Sequence, residues 1–284
     1  MVKWLKIIIS ALGFLISFNA AAIEMELIPQ VGTKAQNSFD FDYIYATEHR
    51  AFAIAPGGSW SWKAKLPSIE AAKSAALTGC QEFTQSKCVL YAINNEIVFN
   101  REEWYQLWGP YKNKKAAAAT PVGLKVGNRF PDITYTDING KKKSFHDLKG
   151  KVVFAHFWGC WCPPCRREFV SLIDIYRILK DTMGDDVEFV LLQLREPIET
   201  SRAWAKENSL DELPLSDSGV KSSSDTELSL KDGSKIPDRQ VSRVFPSSYV
   251  IDKHGVVVFS HMGSIDDWSE YVPFFHDVVK KSGK

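Results

Sequence analysis

Phe157-Trp158-Gly159-Cys160-Trp161-Cys162-Pro163-Pro164-Cys165 is the stretch on which the reading of this chain turns. Just upstream, Lys151 to Trp158 is a short apolar run rich in β-branched and aromatic side chains, as suits a strand buried on both faces of a sheet. Downstream, Phe169, Leu172, Ile173, Tyr176 and Leu179 recur every three or four residues between Arg166 and Thr182, which predicts an amphipathic helix stopped at Gly184. A cysteine pair two residues apart therefore falls at a strand-to-helix junction, with Cys162 at the mouth of the helix.

A thiol in that place meets unpaired backbone N–H groups and the positive end of the helix dipole. Both favour the thiolate, the form that attacks disulfides. Cys165, one turn inside, is expected to be the shielded resolving thiol. Pro163 and Pro164 carry no N–H, so fewer donors reach the Cys162 sulfur than ordinary residues would supply. Weaker stabilisation of the thiolate means weaker stabilisation of the reduced form, and hence a more reducing couple.

The pattern Phe157-Trp158-x-x-Trp161-Cys162-Pro163-Pro164-Cys165-Arg166-x-Glu168-Phe169 resembles the active site of TlpA/ResA-type thioredoxin-like thiol–disulfide oxidoreductases, and the likeness runs from about Val126 to the C-terminus. The resemblance implies an α/β thioredoxin-like fold, a central mixed sheet with helices on both faces. It also implies a protein-disulfide reductase with the pair Cys162–Cys165 as its redox-active centre and no other cofactor. The expected partners are a protein disulfide as substrate and a membrane thiol reductase of the DsbD type as electron donor. Cytochrome c maturation or upkeep of a copper site would be the context.

The resemblance extends to supporting residues. Phe245-Pro246-Ser247-Ser248-Tyr249 is similar to the family's cis-proline segment, although Phe245 stands where a small or β-branched residue is usual. Glu168 matches an acidic residue near the pair and is expected to exchange a proton with Cys165. His156 takes the place of the internal aspartate of thioredoxins, where it would act as a proton shuttle near neutral pH or as a satisfied core residue. Val170 replaces a family proline, so the helix is expected to lack the usual kink.

Charge is nearly balanced across the 284 residues, 35 basic against 34 acidic, which implies no nucleic-acid surface. Met1 to Ala22 reads as a cleaved signal peptide: Lys3 and Lys6, an apolar centre from Ile7 to Phe18, then Ala20-Ala21-Ala22. An uncleaved anchor is the competing reading, though a dozen apolar residues fall short of the ~20 that a bilayer span needs. The expected location is the periplasm, where disulfides persist. Of the five cysteines, Cys80 and Cys88 are expected to form a structural disulfide, Cys162 and Cys165 the active pair, and Cys160 is left over.

The rest of the chain divides accordingly. Residues 23–111 are expected to form a small α+β domain: a strand at Ala51–Ile54, a helix from Ile69 to about Phe83 capped by Ser68, a hairpin around Asn94-Asn95, and a short helix through Trp108. Trp60, Trp62 and Trp108 would be core and rim, or a binding face. This domain could also be what recruits a partner. Residues 112–125, lysine- and alanine-rich, read as a linker, and residues 126–284 as the thioredoxin-like domain with an inserted loop at about 216–238.

Cys160 admits several readings. It could be an inert loop thiol, a partner in disulfide exchange, or a soft ligand. With Cys162, Cys165 and a histidine such as His261 it supports an alternative function, a copper or zinc chaperone of the Sco-like kind. A peroxidase is the weaker reading, because that class uses a single peroxidatic cysteine.

Overall fold

The computed structural model describes residues 28–84, 86–104, 107–109 and 111–283, so the expected signal peptide lies outside the described residues. The first unit opens with α1 (Thr33–Ser38) and a π-helical turn (Phe39–Tyr43). There follow β1 (Ala51–Ile54), β2 (Trp60–Lys63), α2 (Ile69–Gln81), β3 (Val89–Ile93) and β4 (Glu96–Ile97), the strands forming an antiparallel sheet in the order β2-β1-β3-β4. Strand β1 is buried throughout because its two faces meet different partners. Ala51, Ala53 and Ala55 lie against Ala72, Ala76 and Cys80 of α2, small side chains that let the helix approach closely. Phe52 and Ile54 point the other way, into Phe39, Tyr43, Tyr91 and Trp104. Ser68 caps α2, accepting from Ala71 N at 3.2 Å.

Cys80 at the end of α2 and Cys88 before β3 are joined by a disulfide with Cα atoms 6.2 Å apart. The loop it closes is short, and chain entropy puts its contribution at about 2.5 kcal/mol. Trp60 stacks on Phe52 at 5.7 Å and Trp62 donates from Nε1 to Ser38 Oγ at 3.0 Å, so both are engaged within the unit.

Past α3 (Arg101–Trp104), Trp108 leaves the first unit. Its ring stacks on Phe274 at 3.7 Å and lies against Phe259 and Tyr271, inside the core of the second unit. Residues 112–125 differ from the free linker that composition suggests. Asn113 caps α4 (Lys114–Ala118), accepting from Ala116 N at 2.9 Å, and the alanine run is the best of helix formers. Lys112 Nζ reaches Thr120 Oγ1 at 2.9 Å and Gly127 O at 2.5 Å, and Arg129 Nε reaches Thr120 O at 2.8 Å, so the segment is docked onto the opening residues of the second unit.

The second unit comprises β5 (Thr134–Thr136), β6 (Lys142–Ser144), β7 (Val152–Trp158), α5 (Pro163–Met183), β8 (Val187–Gln193), α6 (Ile198–Glu207), β9 (Leu215–Ser216), β10 (Glu227–Ser229), β11 (Lys235–Pro237), α7 (Asp238–Val241), β12 (Ser247–Ile251), β13 (Val257–Met262) and α8 (Val272–Lys281). Its mixed sheet has the order β13-β12-β7-β8-β9, with β7, β8 and β9 parallel and β12 and β13 antiparallel. Central strand β7 is buried at every position, as its unbroken apolar run requires. Phe154, His156 and Trp158 face α5, α6 and α8, meeting Phe169, Trp204 and Phe275. On the opposite face Phe157 and Tyr249 meet Phe130, which packs on Phe145 of a 3-10 turn, and Tyr249 Oη donates to Val241 O of α7 at 2.5 Å.

Residues 216–238 are only in part a loop. Strands β10 and β11 form a hairpin in which Leu228, fully buried, opposes Ile236 across a turn at Asp232-Gly233. Gly233 has φ of 84°, a value that glycine adopts without the clash a Cβ brings. Three-residue strands carry too little alternation to register as strands in the sequence. Pro273 sits in the first turn of α8, where its missing N–H costs nothing.

Candidate functional site

Strand β7 ends at Trp158, and the chain turns through Gly159, Cys160 and Trp161 into α5, with Cys162 as the N-cap. Gly159 is needed here: a Cβ would lie 2.2 Å from Trp161 Nε1, which instead folds back to donate to Leu194 O at 2.9 Å. Cys162 Sγ accepts from Cys165 N at 3.3 Å. Pro163 and Pro164 occupy the first helical positions, so the N–H groups that would otherwise approach the sulfur first are missing. The sulfurs of Cys162 and Cys165 are bonded, with Cα atoms 5.3 Å apart; Cys162 is 4% exposed and Cys165 fully buried. Helix α5 runs unbroken past the exposed Val170.

Glu168, one turn beyond Cys165, is buried on the sheet-facing side of α5. Its Oε1 accepts from Trp268 Nε1 at 2.7 Å and Ile265 N at 3.1 Å, while Oε2 has no partner. Burial raises its pKa to about 8 against the pull of those two donors. A carboxyl so placed gains and loses its proton in the range where thiols exchange disulfides.

His156 is also fully buried, with Nδ1 2.8 Å from Ser248 Oγ across the β7–β12 register and Nε2 without a partner. Burial lowers its pKa to about 3, so the ring is neutral at ordinary pH. That fits the reading of His156 as a core residue better than the reading as a neutral-pH shuttle: among the described residues, burial alone sets the shift and no charge offsets the desolvation of the imidazolium.

The Phe245–Pro246 peptide is cis, and Pro246 O accepts from Gly263 N at 2.8 Å. Phe245 is buried edge-on against Trp161 at 5.0 Å, which brings the proline loop to the cysteine loop. The guanidinium groups of Arg195 and Arg239 lie 5.7 and 5.0 Å from the centre of the Phe245 ring. Arg195 also pairs bidentately with the buried Asp238, through Nε at 2.5 Å and Nη2 at 3.0 Å.

Cys160 is held by Glu196, a residue with no evident role in the sequence. Its Sγ donates to Glu196 Oε2 at 2.9 Å, its backbone N donates to Oε1 at 2.8 Å, and Ser201 Oγ donates to the same Oε1 at 2.6 Å. Burial first, then the Glu196 carboxylate, pushes the Cys160 thiol up to about 12. Without a metal ion, Cys160 is thus held as a protonated thiol. His261 faces Gly57 O at 3.2 Å, and among the described residues no group of three His, Cys, Asp or Glu side chains is arranged to hold a metal ion.

The structure therefore brings Trp161, Cys162, Cys165 and Phe245-Pro246 into one site, with Glu168 and His156 buried beneath α5. Glu196, Arg195 and Arg239 join them from outside the motif. The signal for the first two was their place just past the carboxyl end of β8, the edge where α/β sheets gather their sites.

The second unit is similar to known proteins. Residues 125–272 match the Redoxin family. Thiol-disulfide oxidoreductase ResA of Bacillus cereus is 31% identical over 140 residues, 49% of this chain and 71% of that protein. Thioredoxin-like protein YneN of Bacillus subtilis is 27% identical over 162 residues, 57% of this chain and 82% of its own. Among solved structures, StoA of Bacillus subtilis aligns over 53% of this chain and 98% of its own at 19% identity, with a TM-score of 0.36.

Proposed function

The chain belongs to the Redoxin family and is a thiol–disulfide oxidoreductase, and from that premise we propose that it reduces disulfides of other proteins in the periplasm. Cys162 thiolate attacks one sulfur of the substrate disulfide, forming a mixed disulfide and expelling the other sulfur as a thiolate that takes up a proton. Cys165 then attacks Cys162 Sγ, closing the intramolecular disulfide and releasing the second substrate thiol. Two electrons pass from the dithiol to the substrate. Glu168 takes the Cys165 proton as that thiol becomes the attacking thiolate, and returns it when the pair is reduced again.

The observation that carries the reducing direction is the N-cap itself. Cys162 Sγ receives the Cys165 N–H, while Pro163 and Pro164 offer it none. A thiolate with fewer donors is less stable, and the reduced form is correspondingly less favoured. The donor that restores the dithiol would be a membrane reductase of the DsbD type, and cytochrome c maturation or the upkeep of a copper site would be the context.

Titration of the Cys162/Cys165 pair against glutathione and dithiothreitol tests this reading. A potential near that of thioredoxin, about −270 mV, supports it; one near about −120 mV, that of a strong oxidant, would overturn it.

A further inference from the structure

The rim of the cysteine site carries arginines that the chemistry above does not use. Arg166 directly follows Cys165 and lies near enough to Cys160 for its charge to act on that thiol; it is exposed. Arg239, also exposed, sits over Phe245 and donates from Nη1 to Arg243 O at 2.9 Å, which fixes α7 to the segment leading into Pro246. Arg243 is exposed two residues before Phe245. Among the described residues, none of these three has a carboxylate within ion-pair distance.

Three acids nearby are already committed. Asp238 is 1% exposed and neutralises Arg195. Glu196 is occupied by Cys160 and Ser201, and Glu168 is buried below the pair. Glu82 shares a cleft with Arg243 on the side toward the first unit without pairing with it. Around the exposed Trp161 and the exposed Val244 the rim thus presents positive charge and no exposed counter-charge that the structure pairs with it.

This arrangement is the work of the segment that composition reads as an inserted loop. The β10–β11 hairpin leads straight into α7, which carries both Asp238 and Arg239 to the site, and Tyr249 Oη and Ser242 N bond back to it. Phe245, in place of a small residue, is the platform on which Arg195 and Arg239 rest.

We propose that Arg166, Arg239 and Arg243 form a substrate-selecting rim that favours polypeptide disulfides flanked by aspartate or glutamate. The proposal rests on the reading of the pair as a reductant of protein disulfides. Charges on a rim act mainly on the encounter rate and on discrimination between partners, and are screened by salt.

The test uses the full chain, reduced beforehand with dithiothreitol and freed of it, mixed with three disulfide peptides of equal length whose flanking residues are Glu, Gln or Lys. Oxidation of the protein is followed by tryptophan fluorescence in stopped flow. Each rate is divided by that of an uncharged small thiol on the same peptide, which removes the effect of the flanking charge on the peptide's own sulfurs. The Glu peptide is expected to react about tenfold faster than the Lys peptide at low salt, with the ratio falling toward one at about 1 M salt. In Arg239→Gln/Arg243→Gln the low-salt ratio should fall to about threefold or less. Because the ratio compares peptides within one preparation, it does not depend on how much variant is folded. Equal rates on all three peptides, or an unchanged ratio in the variant, would overturn the rim while leaving the reductase intact. Failure to reduce any of them would overturn both.

Discussion

Replacing Glu168 by Gln separates what the carboxyl does for chemistry from what it costs the fold. Gln keeps an oxygen to accept from Trp268 Nε1 and Ile265 N, so the bonds at 2.7 and 3.1 Å survive in kind. What disappears is a buried group whose pKa burial has raised from 4.5 to about 8. The sign follows from linkage. Below pH 4.5 the carboxyl is protonated both folded and unfolded and contributes nothing. As pH rises past that value the unfolded chain ionises while the folded one cannot, and the penalty on folding grows until pH passes about 8. Between pH 5 and pH 9 this amounts to about 4 kcal/mol, at ~1.4 kcal/mol per pKa unit. Urea denaturation of oxidised wild type and Glu168→Gln, in which the paired thiols cannot titrate, measures it directly. The variant is expected to gain about 4 kcal/mol on wild type between the two pH values. Parallel stability–pH curves would refute the raised pKa, and with it the proton-transfer role.

Further outcomes follow from the same contacts. Glu196→Gln removes the charge that adds to burial in keeping Cys160 protonated, so iodoacetamide should alkylate Cys160 about tenfold faster at pH 8 in oxidised protein; an unchanged rate would mean that burial alone silences the thiol. Gly159→Ala puts a methyl where the Trp161 indole folds back, and should cost about 1–3 kcal/mol by thermal or chemical melt and slow exchange with substrate. Full retention of both would show that the Trp161–Leu194 bond is dispensable. Trp108→Ala empties a pocket in the core of the second unit formed by Phe259, Tyr271 and Phe274. A loss of about 3–5 kcal/mol in the stability of the second unit is expected, and a loss confined to the first unit would contradict the packing described.

The centre of the site was legible because its geometry is local. A helix N-terminus, two prolines and a glutamate three residues past Cys165 fix one another within a few turns of chain, so spacing alone places Cys162 at the cap and Glu168 on the cysteine side of α5. The order β7, α5, β8, α6 was legible for the same reason: β7 and β8 are long and mostly apolar. What spacing cannot show is a partner delivered from far along the chain. Glu196 reaches Cys160 across 36 residues and Arg239 reaches Phe245 through a hairpin of three-residue strands. His156 illustrates a different limit. Its position was clear, but its charge state depends on complete burial and on the lack of an acidic neighbour, both properties of the folded environment.

The central claim, that Cys162 attacks and Cys165 resolves, is tested most directly by trapping. Reduced Cys165→Ser, mixed with a disulfide peptide, is predicted to accumulate a one-to-one mixed disulfide at Cys162 that dithiothreitol releases, with Cys160 unmodified in the peptide map. An adduct at Cys160, or none at Cys162, would contradict the account.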